Sequence, residues 1–470
     1  MKTKIRRSGG SHLIEITPDH RDILAPELTF KRSEAQHAKG KVRYRAYDDP
    51  MFSFVEDPDR LVTFAGFAMR VRTLFEKHNI DYEYEDLREV KGLPEPNFQA
   101  TDLSSLRDQQ QEMLAAILAS DGGLIAGPTG TGKSFLMRTL CQMFDNSKIL
   151  IVCPKRPVVE TFYKYVREVI SDVGLIHGSK RVREKARVIC STVQSMYRVD
   201  LDKVDILLYD ESHTVAADTY AETINKVPNA VRFGFSGSHN DRSDGGSIMQ
   251  EALFGPVIWS ATYQDVVAAG NVPQIHAYFA DCNNGPDPKT LKSKSDASRD
   301  RWCIWRNTYR NTIALQAVHW AKKKFGEDTQ ILVMVNTIEH ALILQDMLPE
   351  FTLMYGALGD KQYSKFKRWG LLPKGYKPLT PKQRSYIQYQ FEEGELKNVI
   401  STKTWSTGVS FNNLQVLIRL DAATSDIDSG QIPGRLSRFS DDKQYGVLVD
   451  VVDNFASNYY RRYIKRKNFY

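Results

Sequence analysis

Four short runs of mostly apolar residues recur through the middle of the chain, and the last three of these runs end in polar residues. The runs lie at 123–126, 149–155, 188–194 and 204–210. Between them, apolar residues recur at the spacing of helices with one buried face. Nearly continuous apolar strands that alternate with helices indicate a parallel sheet covered on both faces, so we predict an α/β fold. Ligands of such sheets bind beyond the carboxyl ends of the strands, where the polar residues lie.

The same pattern returns after a polar stretch at 281–301, which we interpret as an interdomain connection because it is rich in Asn, Pro, Lys and Ser. Apolar runs at 330–336 and 447–452 are the first and last clear strands of a second α/β unit. We therefore predict four segments. They are a small N-terminal accessory domain at 1–95, a first α/β domain at 96–280, a second at 281–455 and a basic tail at 456–470.

The N-terminal segment carries no catalytic pattern. Residues 41–45 alternate Lys or Arg with apolar or aromatic residues, so a strand here places its basic residues on one face. Such a face is suited to the phosphates of a nucleic acid, and an ordinary solvated strand face explains the pattern equally well. Residues 64–78 have the apolar spacing of a helix.

Residues 127–134, which we call the phosphate loop, carry the pattern G-x-x-x-x-G-K-[ST]. An apolar run precedes the loop and a helical pattern follows it, which is the order that a phosphate-binding loop needs. Lys133 is expected to reach the β- and γ-phosphates of a nucleotide, and Ser134 to ligate Mg²⁺. The alternative is a chance glycine-rich turn. The predicted nucleotide-binding residues of the loop are Gly127, Pro128, Thr129, Gly130, Thr131, Gly132, Lys133 and Ser134.

Residues 210–213, which we call the D-E-S-H box, follow directly after the last residues of an apolar run. At the carboxyl end of a strand, Asp210 is expected to lie in the second shell of Mg²⁺ or to bind it through water. Glu211 is expected to polarise the water that attacks the γ-phosphate. The alternative is a surface Asp-Glu pair in a turn. With Lys133, Asp210 and Glu211 are predicted to be catalytic residues.

Together, the phosphate loop, the D-E-S-H box and the sequence at 431–438 resemble motifs I, II and VI of superfamily 2 helicases and translocases. The resemblance covers residues 100–455 and implies two tandem RecA-like domains, ATP and Mg²⁺ as cofactors, and nucleic acid as the partner. Shorter segments add to it: residues 106–110 resemble the L-R-x-x-Q lead-in, and 154–155, 191–195 and 236–238 resemble motifs Ia, Ib and III. Gly237 stands where motif III usually has alanine.

The resemblance also implies roles for single residues. Arg435 and Arg438 are three positions apart, hence on one helical face, and are expected to stabilise transition-state charge on the γ-phosphate. The further implied nucleotide-binding residues are Arg107, Gln110, Gly408 and Gln431. The residues expected to couple hydrolysis to movement are His213, Ser236 and Ser238. The expected nucleic-acid contacts are Pro154, Lys155, Arg156, Ser191, Thr192, Gln194, Asn336, Thr402 and Thr404.

Within the superfamily, residues 405–414 resemble motif V of the phage UvsW-type branch-migration helicases, and residues 253–256 are similar to the same group. Ser410 stands where the wider superfamily usually carries Asp, which favours this branch. The resemblance implies a DNA helicase or translocase that remodels branched DNA in replication, recombination or repair. An RNA helicase, a motor subunit of a restriction-type system and a non-catalytic nucleic-acid clamp remain as alternatives.

A basic and aromatic insertion is expected at about 359–380, where Phe366 and Trp369 are interleaved with Lys and Arg. We expect phosphate contact plus base stacking or wedging at a junction; an ordinary solvated helix with one packed face is the alternative. The basic tail at 456–470 has the same character, either as a DNA contact or as a solubilising end.

Composition adds little to this picture. The net charge of +7 permits an anionic partner without requiring one. Five scattered cysteines, none in a C-x-x-C pair, argue against a disulfide framework and a zinc site. No apolar run is long enough to span a bilayer, so we expect a cytoplasmic protein, in the host cytoplasm if a phage encodes it, and a monomer.

Overall fold

The computed structural model of the chain describes residues 2–7, 12–38, 41–56, 59–88, 92–216, 218–237, 246–285, 291, 296–405, 411, 413–422, 436 and 445–467. Within residues 31–46 it describes the backbone but not the side chains. The chain divides into two compact units: Met1–Gly127 with Thr131–Thr262, and Pro128–Gly130 with Tyr263–Tyr470. Among the described residues, no helix has the length and apolar character needed to cross a membrane.

The N-terminal part of the first unit contains a five-stranded sheet and a separate two-stranded hairpin. Its elements are β1 (Thr3–Arg7), β2 (Leu13–Thr17), α1 (Arg21–Glu27), β3 (Thr29–Ala38), β4 (Lys41–Pro50), β5 (Phe52–Glu56), β6 (Asp59–Phe64), α2 (Ala68–Lys77) and β7 (Tyr82–Asp86). The sheet has the strand order β5-β6-β2-β1-β7. The hairpin is formed by β3 and β4, and β4 contains the strand expected at 41–45. Whether that strand presents a basic face stays a prediction.

The rest of the first unit is built on an eight-stranded sheet with the order β11-β10-β12-β9-β13-β14-β8-β15. Its elements are α3 (Asp108–Leu118), β8 (Gly123–Ala126), α4 (Lys133–Met143), β9 (Ile149–Cys153), α5 (Arg156–Arg167), β10 (Val173–His177), β11 (Lys180–Val182), β12 (Val188–Thr192), β13 (Ile206–Asp210), α6 (Asp218–Asn225), β14 (Val231–Ser236), α7 (Gly246–Phe254) and β15 (Val257–Ser260). All neighbouring strands are parallel except β10 and β11.

Two hydrophobic cores flank this sheet, as its continuous apolar strands require. The core that contains Met137 and Leu140 of α4 includes alternate residues of β9 and β13. The other core contains Leu207 and Phe254 and continues into the N-terminal sheet at Ile14. The N-terminal sheet therefore shares a hydrophobic core with the α/β sheet that carries the phosphate loop.

The second unit is built on a six-stranded parallel sheet with the order β16-β21-β20-β17-β19-β18. Its elements are α8 (Tyr263–Ala268), β16 (Gln274–Cys282), α9 (Asp296–Asp300), α10 (Thr308–Phe325), β17 (Ile331–Met334), α11 (Ile338–Met347), β18 (Thr352–Met354), α12 (Asp360–Arg368), α13 (Pro381–Glu392), β19 (Asn398–Ser401), β20 (Val416–Arg419), β21 (Tyr445–Asp453) and α14 (Ser457–Lys467). β16 pairs with β21 along its whole length, so this sheet begins before residue 281, where the sequence placed the boundary.

The two parallel sheets confirm the α/β fold with tandem RecA-like domains. The apolar runs predicted at 149–155, 188–194 and 204–210 become β9, β12 and β13, whose residues are almost all buried. Each strand ends earlier than, or at, the end of its run, because the polar residues that follow leave the sheet for the loops at its carboxyl edge.

The basic tail is not a free end over its described length. It forms α14, in which Tyr459, Tyr463 and Arg466 are buried. The Arg466 guanidinium donates to both carboxylate oxygens of Asp450, at 2.8 and 3.1 Å. These three side chains anchor α14 to the second unit and are therefore not available as DNA contacts.

Candidate nucleotide-binding site

The phosphate loop connects β8 to α4 at the carboxyl edge of the first sheet. The N–H of Gly127 donates to the carbonyl oxygen of Ser236 at 3.0 Å, which fixes the start of the loop against the end of β14. Gly132 precedes the first residue of α4 and has φ +82°, a left-handed conformation that favours glycine. The N-terminus of α4 therefore opens directly from the loop, in the arrangement that binds anions.

Gln110 of α3 braces the end of the loop. Its Oε1 accepts a hydrogen bond from the backbone N–H of Arg107 at 2.9 Å, and its Nε2 donates to the carbonyl oxygen of Gly132 at 3.3 Å. A Cβ atom on Gly132 would lie 2.1 Å from Nε2, so any larger residue here would displace this amide. Contact of Gln110 and the exposed Arg107 with a nucleotide stays a prediction.

Lys133, the first residue of α4, turns its ammonium group back into the loop. Its Nζ donates to the carbonyl oxygen of Gly127 at 2.6 Å and to Thr131 Oγ1 at 3.4 Å. Burial lowers the pKa of Lys133, whereas the negative charges of Glu211 and Asp210 oppose that shift. The cation and the two carboxylates are therefore close enough to interact.

The D-E-S-H box begins at Asp210, the last residue of β13, and its backbone makes a sharp turn at Glu211. This residue has φ +56°, which is uncommon for a side chain of its size. Thr214 holds the turn because its N–H and its hydroxyl both donate to the Glu211 carbonyl oxygen at 2.9 Å. His213 is buried, and its Nδ1 lies 3.3 Å from Glu211 Oε2. The turn thus fixes the backbone of Glu211 at the edge of the sheet.

The strand order brings these groups together. β14 lies between β13 and β8, with Asp210 opposite Phe235 and Ser236 opposite Ala126. The ends of three neighbouring strands therefore carry the D-E-S-H box, the buried Ser236 and the phosphate loop. The predicted catalytic residues Lys133, Asp210 and Glu211 thus meet at one sheet edge, although 77 positions separate Lys133 from Asp210 in the chain (210 minus 133).

The charges at this edge fit a magnesium nucleotide. Burial and the neighbouring Glu211 raise the pKa of Asp210 to about 7, and Lys133 only partly offsets this. The carboxylates of Asp210 and Glu211 carry more negative charge than the Lys133 ammonium can balance, so the site can accept a further cation. Mg²⁺ is usually bound by one or two carboxylates together with substrate phosphates, a donor set that Asp210 and the exposed Ser134 hydroxyl provide. Among the described residues, no group of three or more His, Cys, Asp and Glu side chains forms a separate metal site.

The expected nucleic-acid contacts of the first unit lie on the same sheet edge. Pro154 and Lys155 connect β9 to α5, and Lys155 and Arg156 are exposed. Ser191 and Thr192 end β12 with buried side chains, and the Ser191 hydroxyl donates to Ile176 and Thr192 carbonyl oxygens. A contact from these two residues would have to come from the backbone.

In the second unit, Asn336 follows β17, and Thr402 and Thr404 follow β19. The hydroxyl oxygens of Thr402 and Thr404 lie 3.0 Å apart, and the Thr402 N–H donates to Met354 at the end of β18. These three residues therefore share one edge of the second sheet. In the first unit, Gln194, which follows β12, is exposed. Five predicted site residues lie outside the described part of the chain: Ser238, Gly408, Gln431, Arg435 and Arg438.

The structure corrects the interpretation of Phe366 as a free wedge. Phe366 of α12 is 5% exposed and belongs to the hydrophobic core of the second unit, so its ring is not available to a base. Trp369 is half-buried and packs against that core, and the Arg301 guanidinium lies 3.7 Å from its ring centroid. Base contact by Trp369 stays a prediction.

Sequence reasoning missed two residues beside the site. Trp259 of β15 lies against the loop, because a Cβ atom on Gly127 would be 2.9 Å from its ring. Gln250 of α7 accepts a hydrogen bond from the Ser212 hydroxyl of the D-E-S-H box at 2.9 Å, and both side chains are buried. No motif marks either residue, since their role depends on which strands and helices become neighbours.

Known families match both α/β domains. The family described as type III restriction enzyme, res subunit, matches residues 103–241, and the helicase conserved C-terminal domain matches residues 313–440. The first match contains the phosphate loop and the D-E-S-H box, and the second contains the sequence at 431–438 that resembles motif VI.

Two curated relatives align with much of the chain. The protein named DNA 3'-5' translocase XPB2 from Sulfurisphaera tokodaii is 19% identical over 417 residues, which cover 85% of this chain and 93% of the relative. Putative helicase 22 of a Sulfolobus islandicus filamentous virus is 22% identical over 378 residues, 74% of this chain and 63% of that protein. The chain thus spans less than two thirds of the viral relative.

The fold of one solved structure matches that of this chain. Saccharomyces cerevisiae Dbp5, bound to RNA and ADP BeF3, has a TM-score of 0.53 at 16% identity, covering 77% of this chain and 87% of its own. T4 UvsW has a TM-score of 0.42 at 16% identity, covering 100% and 97%. With both domain families matched in order, and with the phosphate loop and the D-E-S-H box assembled at one sheet edge, the chain belongs to the superfamily 2 helicases and translocases.

Proposed function

We propose that this protein is an ATP-dependent DNA helicase or translocase that acts as a monomer on branched DNA, by branch migration or by unwinding forks and junctions. The observation that carries the proposal is the meeting of Lys133 with Asp210 and Glu211 at the carboxyl edge of the first sheet. A phosphate-binding cation and a water-polarising carboxylate at one edge are the groups that nucleoside triphosphate hydrolysis requires.

Each group at the edge has a distinct task. The N-terminus of α4 and Lys133 hold the phosphates, and Lys133 exchanges its bonds to Gly127 and Thr131 for phosphate oxygens. Ser134 and Asp210 would hold Mg²⁺, which would supply positive charge to offset the negative charge of the phosphates. Glu211 orients and polarises the attacking water.

The second domain supplies the remaining charge in this proposal. Arg435 and Arg438 carry the role that motif VI implies, stabilising negative charge on the transferred phosphoryl group. The nucleic-acid contacts expected at Lys155 and at Thr402 lie on different domains. A cycle of nucleotide binding and hydrolysis that changes the separation of the two domains would then advance the protein along a strand.

DNA as the nucleic acid is supported by the relative from Sulfurisphaera tokodaii, whose name describes a DNA translocase. Branched DNA is supported by the likeness of residues 405–414 to motif V of the UvsW-type enzymes. The net charge of +7 is compatible with either nucleic acid.

The test is the steady-state ATPase rate with no nucleic acid, single-stranded DNA, duplex DNA, a four-way junction and RNA, all at one salt concentration because phosphate contacts depend on salt. We expect the strongest stimulation by the junction. Stimulation by duplex DNA alone would replace branch remodelling with duplex translocation. Stimulation by RNA alone would overturn the choice of DNA, and no turnover with any of them would overturn the motor itself.

A further inference from the structure

Helix α7 connects the D-E-S-H box to the N-terminal region of the chain. On one side, the buried Ser212 hydroxyl donates to Oε1 of the buried Gln250 at 2.9 Å. Ser212 directly follows Glu211. The left-handed backbone conformation of Glu211 is uncommon, so it depends on the contacts that neighbouring residues make around it. A contact that fixes Ser212 therefore also limits where the Glu211 carboxylate can lie.

The next residue of α7 faces the N-terminal region. The Arg70 guanidinium of α2 makes two hydrogen bonds to the Glu251 carboxylate, at 3.0 and 2.5 Å. The Arg70 guanidinium also lies 5.8 Å from the ring centroids of Phe30, in β3 of the hairpin, and Phe67. A paired, planar contact of this kind holds orientation as well as position.

The backbones also touch at this point. A Cβ atom on Gly66 would lie 2.0 Å from the carbonyl oxygen of Glu251 and 2.6 Å from that of Ala252. The segment before α2 and the helix α7 are therefore in direct backbone contact, with no space between them. In a close-packed interior, a shift of one is transmitted to the other instead of being absorbed by a void.

We propose that Gln250 is a positioning residue for Glu211, and that the Arg70–Glu251 ion pair makes this position depend on the N-terminal region. Gln250 and Glu251 are adjacent on one rigid helix, so a displacement at Glu251 moves the acceptor of the Ser212 hydroxyl. The N-terminal region would thus set the hydrolysis rate without contacting the nucleotide. This inference rests on the proposed ATPase function.

The first experiment replaces Gln250 by Met, which keeps the length of the side chain and removes the acceptor. With junction DNA present, we expect Gln250→Met to lower kcat about tenfold, while KM for ATP changes less than about twofold because the phosphate loop is untouched. The control is Met249→Leu, a volume-conserving change at the preceding buried position of α7, which should leave kcat unchanged. An unchanged kcat in Gln250→Met, or equal changes in kcat and KM, would overturn the positioning role.

The second experiment tests the connection to the N-terminal region. Arg70→Glu should lower kcat several-fold, and the charge-exchanged pair Arg70→Glu with Glu251→Arg should restore most of it. In a Gln250→Met background, Arg70→Glu should cause little further loss, because both changes act through the same contact. Independent, multiplying losses would show that the ion pair acts elsewhere.

Failure of the inference and failure of the proposed function give different results. Unaltered protein that hydrolyses no ATP with any nucleic acid would contradict the proposed function. The other result is that the unaltered protein hydrolyses ATP and that the folded Gln250→Met and Arg70→Glu variants do so at the same rate. That result would contradict only the inference. Thermal unfolding of each variant identifies those that fail to fold, and the charge-exchanged pair tests the inference even if a single variant unfolds.

Discussion

The contact between Gln110 and Gly132 predicts a specific non-additive effect on stability. Gly132→Ala puts a Cβ atom 2.1 Å from Gln110 Nε2, so the amide must move away and lose its bond to the Gly132 carbonyl oxygen. The new side chain also sits at φ +82°, which costs about 1–2 kcal/mol for a residue other than glycine. The lost hydrogen bond adds about 1 kcal/mol. We therefore expect Gly132→Ala to lower the free energy of unfolding of the first unit by about 2–3 kcal/mol.

The partner substitution should overlap with this loss. Gln110→Ala removes the same hydrogen bond and also the one that its Oε1 accepts from the Arg107 N–H, so it should cost about 2 kcal/mol by itself. In the double variant the shared bond is lost only once, so the total should be about 3–4 kcal/mol, about 1 kcal/mol less than the sum of the single losses. Gln111→Ala is the matched control, because the Nε2 of Gln111 donates to the Leu106 carbonyl oxygen at 3.0 Å and not to the phosphate loop.

The assay is denaturant unfolding of the four proteins and the control, with the affinity for a fluorescent ATP analogue measured alongside. Both substitutions should weaken nucleotide binding, Gly132→Ala more strongly, because they alter the loop that presents its N–H groups to phosphates. Additive losses of unfolding free energy within about 0.3 kcal/mol would refute the argument, since they would mean that Gln110 and Gly132 do not act through one contact.

The remaining predictions concern catalysis, pH and the core. Lys133→Ala and Glu211→Gln should abolish junction-stimulated ATP hydrolysis while leaving DNA binding by fluorescence anisotropy intact; retained turnover in Glu211→Gln would contradict its role. Burial and the charges of Arg232 and Arg7 lower the pKa of His12 in the folded protein from 6.5 to about 2. Below pH 6.5 the unfolded chain therefore binds a proton at His12 that the folded protein does not bind. The free energy of unfolding should then fall by about 1.4 kcal/mol for each pH unit below 6.5, whereas above pH 6.5 His12 causes no such loss. His12→Gln should remove that contribution to the pH dependence of the unfolding free energy between pH 6.5 and 5, measured by denaturant unfolding. If the unfolding free energies of the variant and the unaltered protein change in parallel with pH, His12 makes no such contribution. Phe366→Ala should lower the free energy of unfolding, measured the same way, by about 3–5 kcal/mol because it leaves a cavity in the core. A loss below about 1 kcal/mol would show that the Phe366 ring is not buried in the core.

Local sequence patterns were sufficient for the strands and for the chemical groups of the site. Continuous apolar runs have no stable position except a sheet buried on both faces, so β9, β12 and β13 could be predicted with their polar ends. The phosphate loop could be predicted because its glycines, Lys133 and Ser134 are contiguous, and their spacing is fixed by the loop itself. Asp210 and Glu211 could be placed at the carboxyl edge of the sheet because they lie at the end of an apolar run.

Contacts between distant segments were decided only by the tertiary structure. Phe366 and Trp369 have the same basic neighbours in the sequence whether they face solvent or the core, and helical spacing alone does not choose between these faces. Gln250 gained its role because α7 packs against the D-E-S-H box, and Arg70 because α2 packs against α7. The sequence by itself thus determined which chemical groups the protein has and which strands carry them, because these follow from short-range spacing. The tertiary structure decided which side chains support them, because burial and long-range pairing depend on how the sheets and helices are arranged.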